Sequence, residues 1–181
     1  MTTAPSNAEL VRRLYDLVEA QETGGMIRRE TGLDVREVMR MLPHRYPFLL
    51  IDRVTGLDRE RSLMVASYDL KRAETVFSGH FPGAPVWPGV LQVEAVAQAG
   101  LLLTRLLAEG SGFSPERPTP NAERPTPALT QILAAQFMKP IGPDGQVDIA
   151  ARIVEDGLFV IIIGQCLWNG QVCSAAAVRG L

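Results

Sequence analysis

The apolar pattern of residues 88–108 constrains the fold of this chain more than any other feature of its sequence. Pro88 fits the first position of a helix there, because a proline at that position loses no hydrogen bond. Apolar side chains recur on nearly every side of the predicted helix, and a helix of this kind is buried in a core or under other chains. The preceding segment, residues 79–89, is so rich in glycine and proline that it must be an irregular loop.

Most of the remaining pattern is typical of β-strands. Residues 48–55 and 63–70 are apolar or alternating, with a polar turn between them, and they predict two strands. Three or four further strands are predicted near residues 129–138, 146–155, 158–168 and 171–178. The sequence therefore indicates an α+β domain in which antiparallel strands surround one buried helix.

Two shorter helices are predicted before the first strand. One covers residues 6–23 and begins with capping-box spacing, and the second runs from about Asp34 to Met41, where Asp34 can cap it. We expect residues 1–36 to form a helical extension and linker, and residues 37–181 to form one domain. Within that domain, the proline- and serine-rich residues 109–127 are predicted to be a mobile loop.

Composition and charge argue against several classes of function. The net charge is −2 and the pI is about 5.7, so the bulk charge favours neither nucleic acid nor an anionic membrane as a partner. The first residues do not resemble a secretory signal, and we expect a cytoplasmic protein. The two histidines and two cysteines give no zinc spacing, and no loop matches a nucleotide fingerprint. We therefore expect no metal and no cofactor.

His80 and Glu94 are the candidates for acid–base chemistry. A histidine beside an aromatic residue is more often structural, but glycine and proline fix the backbone around His80 and leave room for a ligand. The usual interpretation of Glu94 would be a solvated charge on a helix surface. Its neighbours one turn away, however, include no basic residue. A carboxyl in apolar surroundings tends to keep its proton, as a general acid must.

The start of the predicted helix, Gly89 and Val90, supplies a third group. Its free N–H groups and the positive end of the helix dipole favour a developing oxyanion. Gly89 has no side chain, so an acyl carbonyl can approach it closely. A base, an acid and an oxyanion site in one short stretch suit proton abstraction next to a thioester carbonyl.

Two motifs resemble the 3-hydroxyacyl-acyl carrier protein dehydratases of type II fatty acid synthesis. The first is LPHRYPFLLIDRV, residues 42–54. The second begins with GHFP at residue 79, continues as PVWPGVL over residues 85–91, and ends with Glu94-Ala95 and Ala97-Gln98. The likeness extends from about residue 37 to residue 178.

This resemblance implies a hot-dog fold, in which an antiparallel sheet wraps a long central helix. It also implies a homodimer, often assembled into a trimer of dimers, in which each active site takes a histidine from one subunit and a glutamate from the other. His80 would remove the C2 proton and Glu94 would protonate the departing 3-hydroxyl. Gly89 and Val90 would position the thioester, and Gln98 would help to position Glu94.

The expected activity is therefore dehydration of 3-hydroxyacyl-acyl carrier protein to the trans-2-enoyl product, in fatty acid or specialised acyl-chain biosynthesis. Phe81, Pro82, Trp87 and Leu129 are assigned to the substrate tunnel. Trp87 replaces the family's commoner methionine, and Leu129 aligns with its gating tyrosine, so the acyl length stays open. The alternatives are a non-catalytic hot-dog partner subunit, or a thioesterase or hydratase of the same fold.

The two cysteines give a testable prediction. Asn169-Gly170 is a strong signal for a two-residue hairpin turn, and counting outward from it places Cys166 opposite Cys173. That position is a hydrogen-bonded pair, whose wide backbone separation suits a disulfide poorly. Thiol titration of the denatured, unreduced protein should therefore find two free thiols per chain, and finding none would contradict this.

Overall fold

The structure is a computed structural model that describes residues 33–110, 128–156 and 159–180. The helix predicted over residues 6–23 and most of the loop predicted over residues 109–127 lie outside these ranges. The first described helix, α1 (Val35–Met41), matches the prediction. The side chain of its N-cap Asp34 accepts hydrogen bonds from the amides of the second and third helical residues, as a capping aspartate should.

Six antiparallel strands form one sheet in the described part of the chain. In spatial order they run β1-β2-β4-β5-β6-β3. Their bounds are β1 Arg53–Asp58, β2 Leu63–Asp69, β3 Leu129–Phe137, β4 Gln146–Asp156, β5 Phe159–Trp168 and β6 Gln171–Gly180. The last four match the strand-like runs predicted from the sequence closely.

The predicted start of the first strand at Phe48 is wrong, since β1 begins at Arg53. The backbone hydrogen bonds of the intervening segment go elsewhere. The amides of Phe48 and Leu49 both donate to the carbonyl of Arg45, and the amide of Leu50 donates to the side chain of Gln98. The segment is apolar because Leu49 and Leu50 are buried, and its backbone joins β2 at its end, where the amide of Asp52 donates to the carbonyl of Ser67.

The predicted buried helix is α3 (Gly89–Gly110). It begins one residue later than predicted, because the carbonyl of Pro88 accepts from the amides of Leu91 and Gln92 and Pro88 itself precedes the helix. A 3-10 turn (Leu70–Ala73) and a short helix, α2 (Glu74–Gly79), connect it to β2. The central helix contacts β2, β3, β4, β5 and β6. A long helix wrapped by an antiparallel sheet is the hot-dog fold.

By length and composition, residues 89–108 could also cross a membrane, but 56% of that stretch is buried inside the protein. The buried side chains of the helix include Val93, Ala95, Val96, Ala99, Leu102, Leu103 and Leu106. The helix is therefore apolar because it forms the core of the domain.

The β5–β6 hairpin turns at Asn169 and Gly170, as predicted. Both have positive φ, 53° and 73°, which a two-residue turn of this type requires. The predicted pairing of Cys166 with Cys173 is wrong, however, because a bulge next to Cys166 places it opposite Ser174. Both cysteines are free and buried, and burial raises the pKa of Cys166 to about 12.

Two glycines let the helix and the sheet approach each other closely. A Cβ on Gly100 would lie 2.4 Å from Ile162 of β5. A Cβ on Gly164 of β5 would lie 2.6 Å from the carbonyl oxygen of Ala150 and also 2.6 Å from Val96 of the helix. Side chains at these two positions would force α3 away from the sheet.

Gly164→Ala should therefore destabilise the protein, because the backbone carbonyl of Ala150 cannot move without disturbing the β4–β5 ladder. We expect a loss of about 1–3 kcal/mol in the free energy of unfolding. Gly79→Ala is the matched control, since a Cβ there meets nothing within 4 Å. Thermal unfolding of both variants checks this, and equal melting temperatures would contradict the close contact.

Candidate active site

His80 lies in the glycine- and proline-rich loop between α2 and α3. The amide of Val86 donates to the His80 carbonyl (2.8 Å), and Phe81 and Ala84 exchange hydrogen bonds between their backbones. The loop is therefore irregular, as predicted, but its own backbone contacts order it.

The same loop fixes the imidazole of His80. Its Nδ1 lies 2.8 Å from the carbonyl oxygen of Val86, and its ring stacks on that of Phe81 with 4.0 Å between centroids. Because a carbonyl only accepts, the proton of the neutral ring is on Nδ1. Nε2 then carries the lone pair, and its orientation is set by the other nitrogen, as a general base requires.

Glu94 lies on the first turns of α3, where Gln98 is one turn further along the same helix. The Nε2 of Gln98 donates to Oε1 of Glu94 over 2.9 Å. The side chain of Glu94 is 21% exposed, so it is neither a solvated surface charge nor fully buried. Solvent or a substrate can reach it.

The orientation of the Gln98 amide is determined by the segment that was predicted to be a strand. Its Oε1 accepts from the amide of Leu50 (3.0 Å), while its Nε2 donates to the carbonyl of Phe48 (2.8 Å) as well as to Glu94. Gln98 is 1% exposed, and a flipped amide would turn its oxygen toward two acceptors. Gln98 thus holds one oxygen of the Glu94 carboxyl, as the resemblance implies.

A cavity of about 190 Å³ opens beside Glu94. Three residues of the predicted site line it, namely Glu94, Gln98 and Leu129. Its other walls are mostly apolar and are formed by His44, Ala97, Leu101, Thr104, Ala128, Val160, Ile162 and Gly180. A mostly apolar cavity with a few polar groups in its wall suits a largely apolar ligand that has a polar group.

The other predicted site residues lie elsewhere. His80 is not among the residues that line this cavity. Phe81 is 55% exposed and Pro82 is also exposed, both in the loop before α3. Trp87 is fully buried and stacks on Tyr68, with 5.9 Å between ring centroids. One chain therefore does not bring the candidate base to the cavity of the candidate acid.

Gly89 and Val90 form the start of α3. The amides of Leu91 and Gln92 donate to the carbonyl of Pro88. The amides of Gly89 and Val90 come before these, at the helix terminus, where the helix itself supplies no carbonyl acceptor. The ring of Phe137 lies over Gly89, and a Cβ there would come within 2.7 Å of it. Close packing against Phe137 therefore requires a glycine here, and the absence of a side chain also leaves room for a ligand to approach the Gly89 amide.

His44 is a site residue to which the sequence analysis assigned no role. Its Nε2 lies 3.6 Å from Oε1 of Glu94, across the cavity wall. Burial lowers the pKa of His44. The charge of Glu94 raises this pKa, whereas the charges of Arg105 and Arg45 lower it further. The available signal was that His44 is one of only two histidines and lies within the first motif.

A family model described as FabA-like domain matches residues 42–176. The chain belongs to this family. The match begins directly after α1 and ends within β6, and it includes His44, His80, Gly89, Glu94 and Gln98. The recognition made from the two motifs is thereby confirmed.

Curated relatives agree over most of their length. A 3-hydroxyacyl-[acyl-carrier-protein] dehydratase FabZ from Aliivibrio fischeri is 38% identical over 155 residues, which is 85% of this chain and 96% of that protein. The FabZ dehydratase of Nitratiruptor sp. is 33% identical over 150 residues, or 82% of this chain and 97% of the relative.

Solved structures share the fold at low identity. The dehydratase heterocomplex ApeI:P from Xenorhabdus doucetiae superposes with a TM-score of 0.61 at 19% identity, over 79% of this chain and 88% of that one. A mutant thioesterase, PA1618 from Pseudomonas aeruginosa, superposes with a TM-score of 0.55 at 16% identity, over 85% of this chain and 96% of that one. Both likenesses confirm the hot-dog fold.

The contacts of Gln98 predict that Gln98→Leu is strongly destabilising. It would leave the buried amide of Leu50 and the carbonyl of Phe48 without their partner, and each such loss costs about 1–3 kcal/mol. Gln92→Leu is the matched control on the same helix, because the Gln92 side chain makes one hydrogen bond, to the Trp87 carbonyl, and its buried Oε1 has no partner. Urea unfolding at fixed protein concentration should show a clearly larger loss for Gln98→Leu than for the control.

Proposed function

We propose that this protein removes water from 3-hydroxyacyl chains carried on acyl carrier protein, giving the trans-2-enoyl product. The family and the named activity of the relatives support this. The observation that carries it is that both acid–base groups are present and each is oriented by a defined partner, His80 by the Val86 carbonyl and Glu94 by the Gln98 amide. We place the reaction in fatty acid or related acyl-chain synthesis in the cytoplasm.

The proposed reaction is a proton abstraction followed by loss of water. Nε2 of His80 takes a proton from C2, and the electron pair left on C2 forms the double bond to C3. The bond between C3 and its hydroxyl oxygen breaks, and the oxygen leaves as water with a proton from the Glu94 carboxyl. The amides of Gly89 and Val90 would stabilise the negative charge that develops on the thioester oxygen. The apolar cavity beside Glu94 would hold part of the acyl chain.

We further propose that the active site is shared between two copies of the chain. His80 lies outside the cavity that Glu94 lines, so a second chain is needed to supply the base. The edge strand β3 exposes Leu129, Ile132 and Phe137. An apolar edge strand with free backbone groups suits pairing with a second copy. Three such dimers would form the hexamer implied by the family.

Single variants test the two roles. His80→Ala and Glu94→Gln should each lower turnover by about 100-fold or more, because general acid–base groups contribute factors of this size. Both variants should keep the wild-type fold by circular dichroism. The measurement is enoyl formation followed by absorbance, over a series of 3-hydroxyacyl-carrier substrates of increasing length. Release of a free thiol in place of the enoyl product would indicate a thioesterase.

Mixing the two inactive variants tests the shared site. In a dimer of one His80→Ala chain and one Glu94→Gln chain, one site has both groups and the other has neither. Refolding the variants together at equal amounts should therefore restore about a quarter of wild-type activity, since half of the dimers are mixed and half of their sites are intact. If each chain held its own complete site, no mixture would recover activity.

A further inference from the structure

We propose that His44 is a positioning residue for the acid: its Nε2–H interacts with Oε1 of Glu94 and leaves Oε2 to carry the transferred proton. This proposal rests on the proposed dehydration. It assigns a role to His44, which does not transfer a proton in the proposed reaction. The contact is long, 3.6 Å between Nε2 and Oε1, which is outside hydrogen-bond range. Catalytic contacts often tighten only when substrate is bound.

The surroundings of His44 orient its ring toward the carboxyl. The guanidinium of Arg45 donates to the carbonyls of Leu42 (2.9 Å) and His44 (2.7 Å) and so fixes the backbone of the loop. The imidazole stacks on Phe48 at 6.4 Å between centroids. Phe48 is also the residue whose carbonyl binds Gln98. Phe48 therefore contacts both side chains that lie next to Glu94, namely His44 and Gln98.

The other nitrogen of the ring indicates which tautomer is present. Nδ1 of His44 is buried and has no hydrogen-bond partner among the residues that the structure describes. A buried N–H without a partner is costly and rare, so the proton of the neutral ring belongs on Nε2, on the side of Glu94. Oε1 of Glu94 then faces two donors, Gln98 at 2.9 Å and His44 at 3.6 Å.

The charges around His44 favour its neutral form. Desolvation by burial lowers its pKa first, and the positive charges of Arg105 on α3 and Arg45 on the same loop lower it further, while Glu94 raises it. The strands that complete the cavity contribute Leu129, Val160 and Ile162, none of which ionises. A neutral imidazole that carries its proton on Nε2 can still donate to Oε1 of Glu94.

Nuclear magnetic resonance tests the contact without any assay of activity. The chain has two histidines, so their ring C–H signals can be assigned with His44→Gln alone. The His44 signal should titrate below the ordinary value of 6.5, and Glu94→Gln should move its midpoint lower still, because the group that raises it is gone. Glu60→Gln, at an exposed carboxylate in the β1–β2 turn, should leave the midpoint unchanged. No shift in Glu94→Gln would overturn the proposal.

Kinetics distinguish positioning from a purely structural role. His44→Leu keeps the bulk but removes the donor, and it should lower kcat by about 10- to 100-fold, the size expected for a misplaced catalytic group, with KM within about twofold. His44→Gln restores an N–H near the position of Nε2 and should recover most of kcat. Equal losses in both variants, or wild-type kcat in His44→Leu, would refute the role. If wild-type protein does not dehydrate at all, the proposed function fails, and the titration still decides whether His44 and Glu94 are coupled.

Discussion

The close packing of α3 against the sheet is the constraint on which the rest of the structure depends. Gly100 and Gly164 remove the side chains that would separate the helix from β5, so the helix lies deep in the fold. Polar groups on a buried helix must find partners, because an unpaired polar group in a low-dielectric interior is costly. Gln98 meets this requirement through Phe48 and Leu50. The same bonds hold residues 48–50 beside the helix and use backbone groups that a strand would pair with a neighbouring strand.

The positions of the two proposed acid–base groups follow from the packing of α3 and from the loop that precedes it. Glu94 lies on the side of α3 that faces the cavity, so it accepts from Gln98 one turn later and yet remains partly exposed. His80 is held in the preceding loop by a bond from its own ring to the Val86 carbonyl. Each group is oriented by a neighbour that has no part in the proposed proton transfer. In the proposed reaction this arrangement would fix the geometry before substrate binds, which is how positioned acid–base groups gain their effect.

Local patterns predicted most of the fold correctly, and the failures have one cause. The four C-terminal strands followed from strand-like runs of residues, and the turn at Asn169 followed from residues that tolerate positive φ. The false strand over Phe48–Asp52 and the false pairing of Cys166 with Cys173 both concern which backbone groups bond to each other. Such partners are set by residues far away in sequence, as Gln98 is from Leu50, or by a bulge that no local pattern announces.

The sequence by itself determined the family, the α+β class and the buried helix, and it supplied the two candidate acid–base residues, since these depend on side-chain chemistry, periodicity and motif. Tertiary structure alone decided that Gln98 and His44 lie 2.9 and 3.6 Å from the same oxygen of Glu94, that Trp87 lies in the core, and that His80 is outside the cavity that Glu94 of its own chain lines. The physical reason is that distances between segments remote in sequence arise from packing of the whole domain, to which every buried side chain contributes.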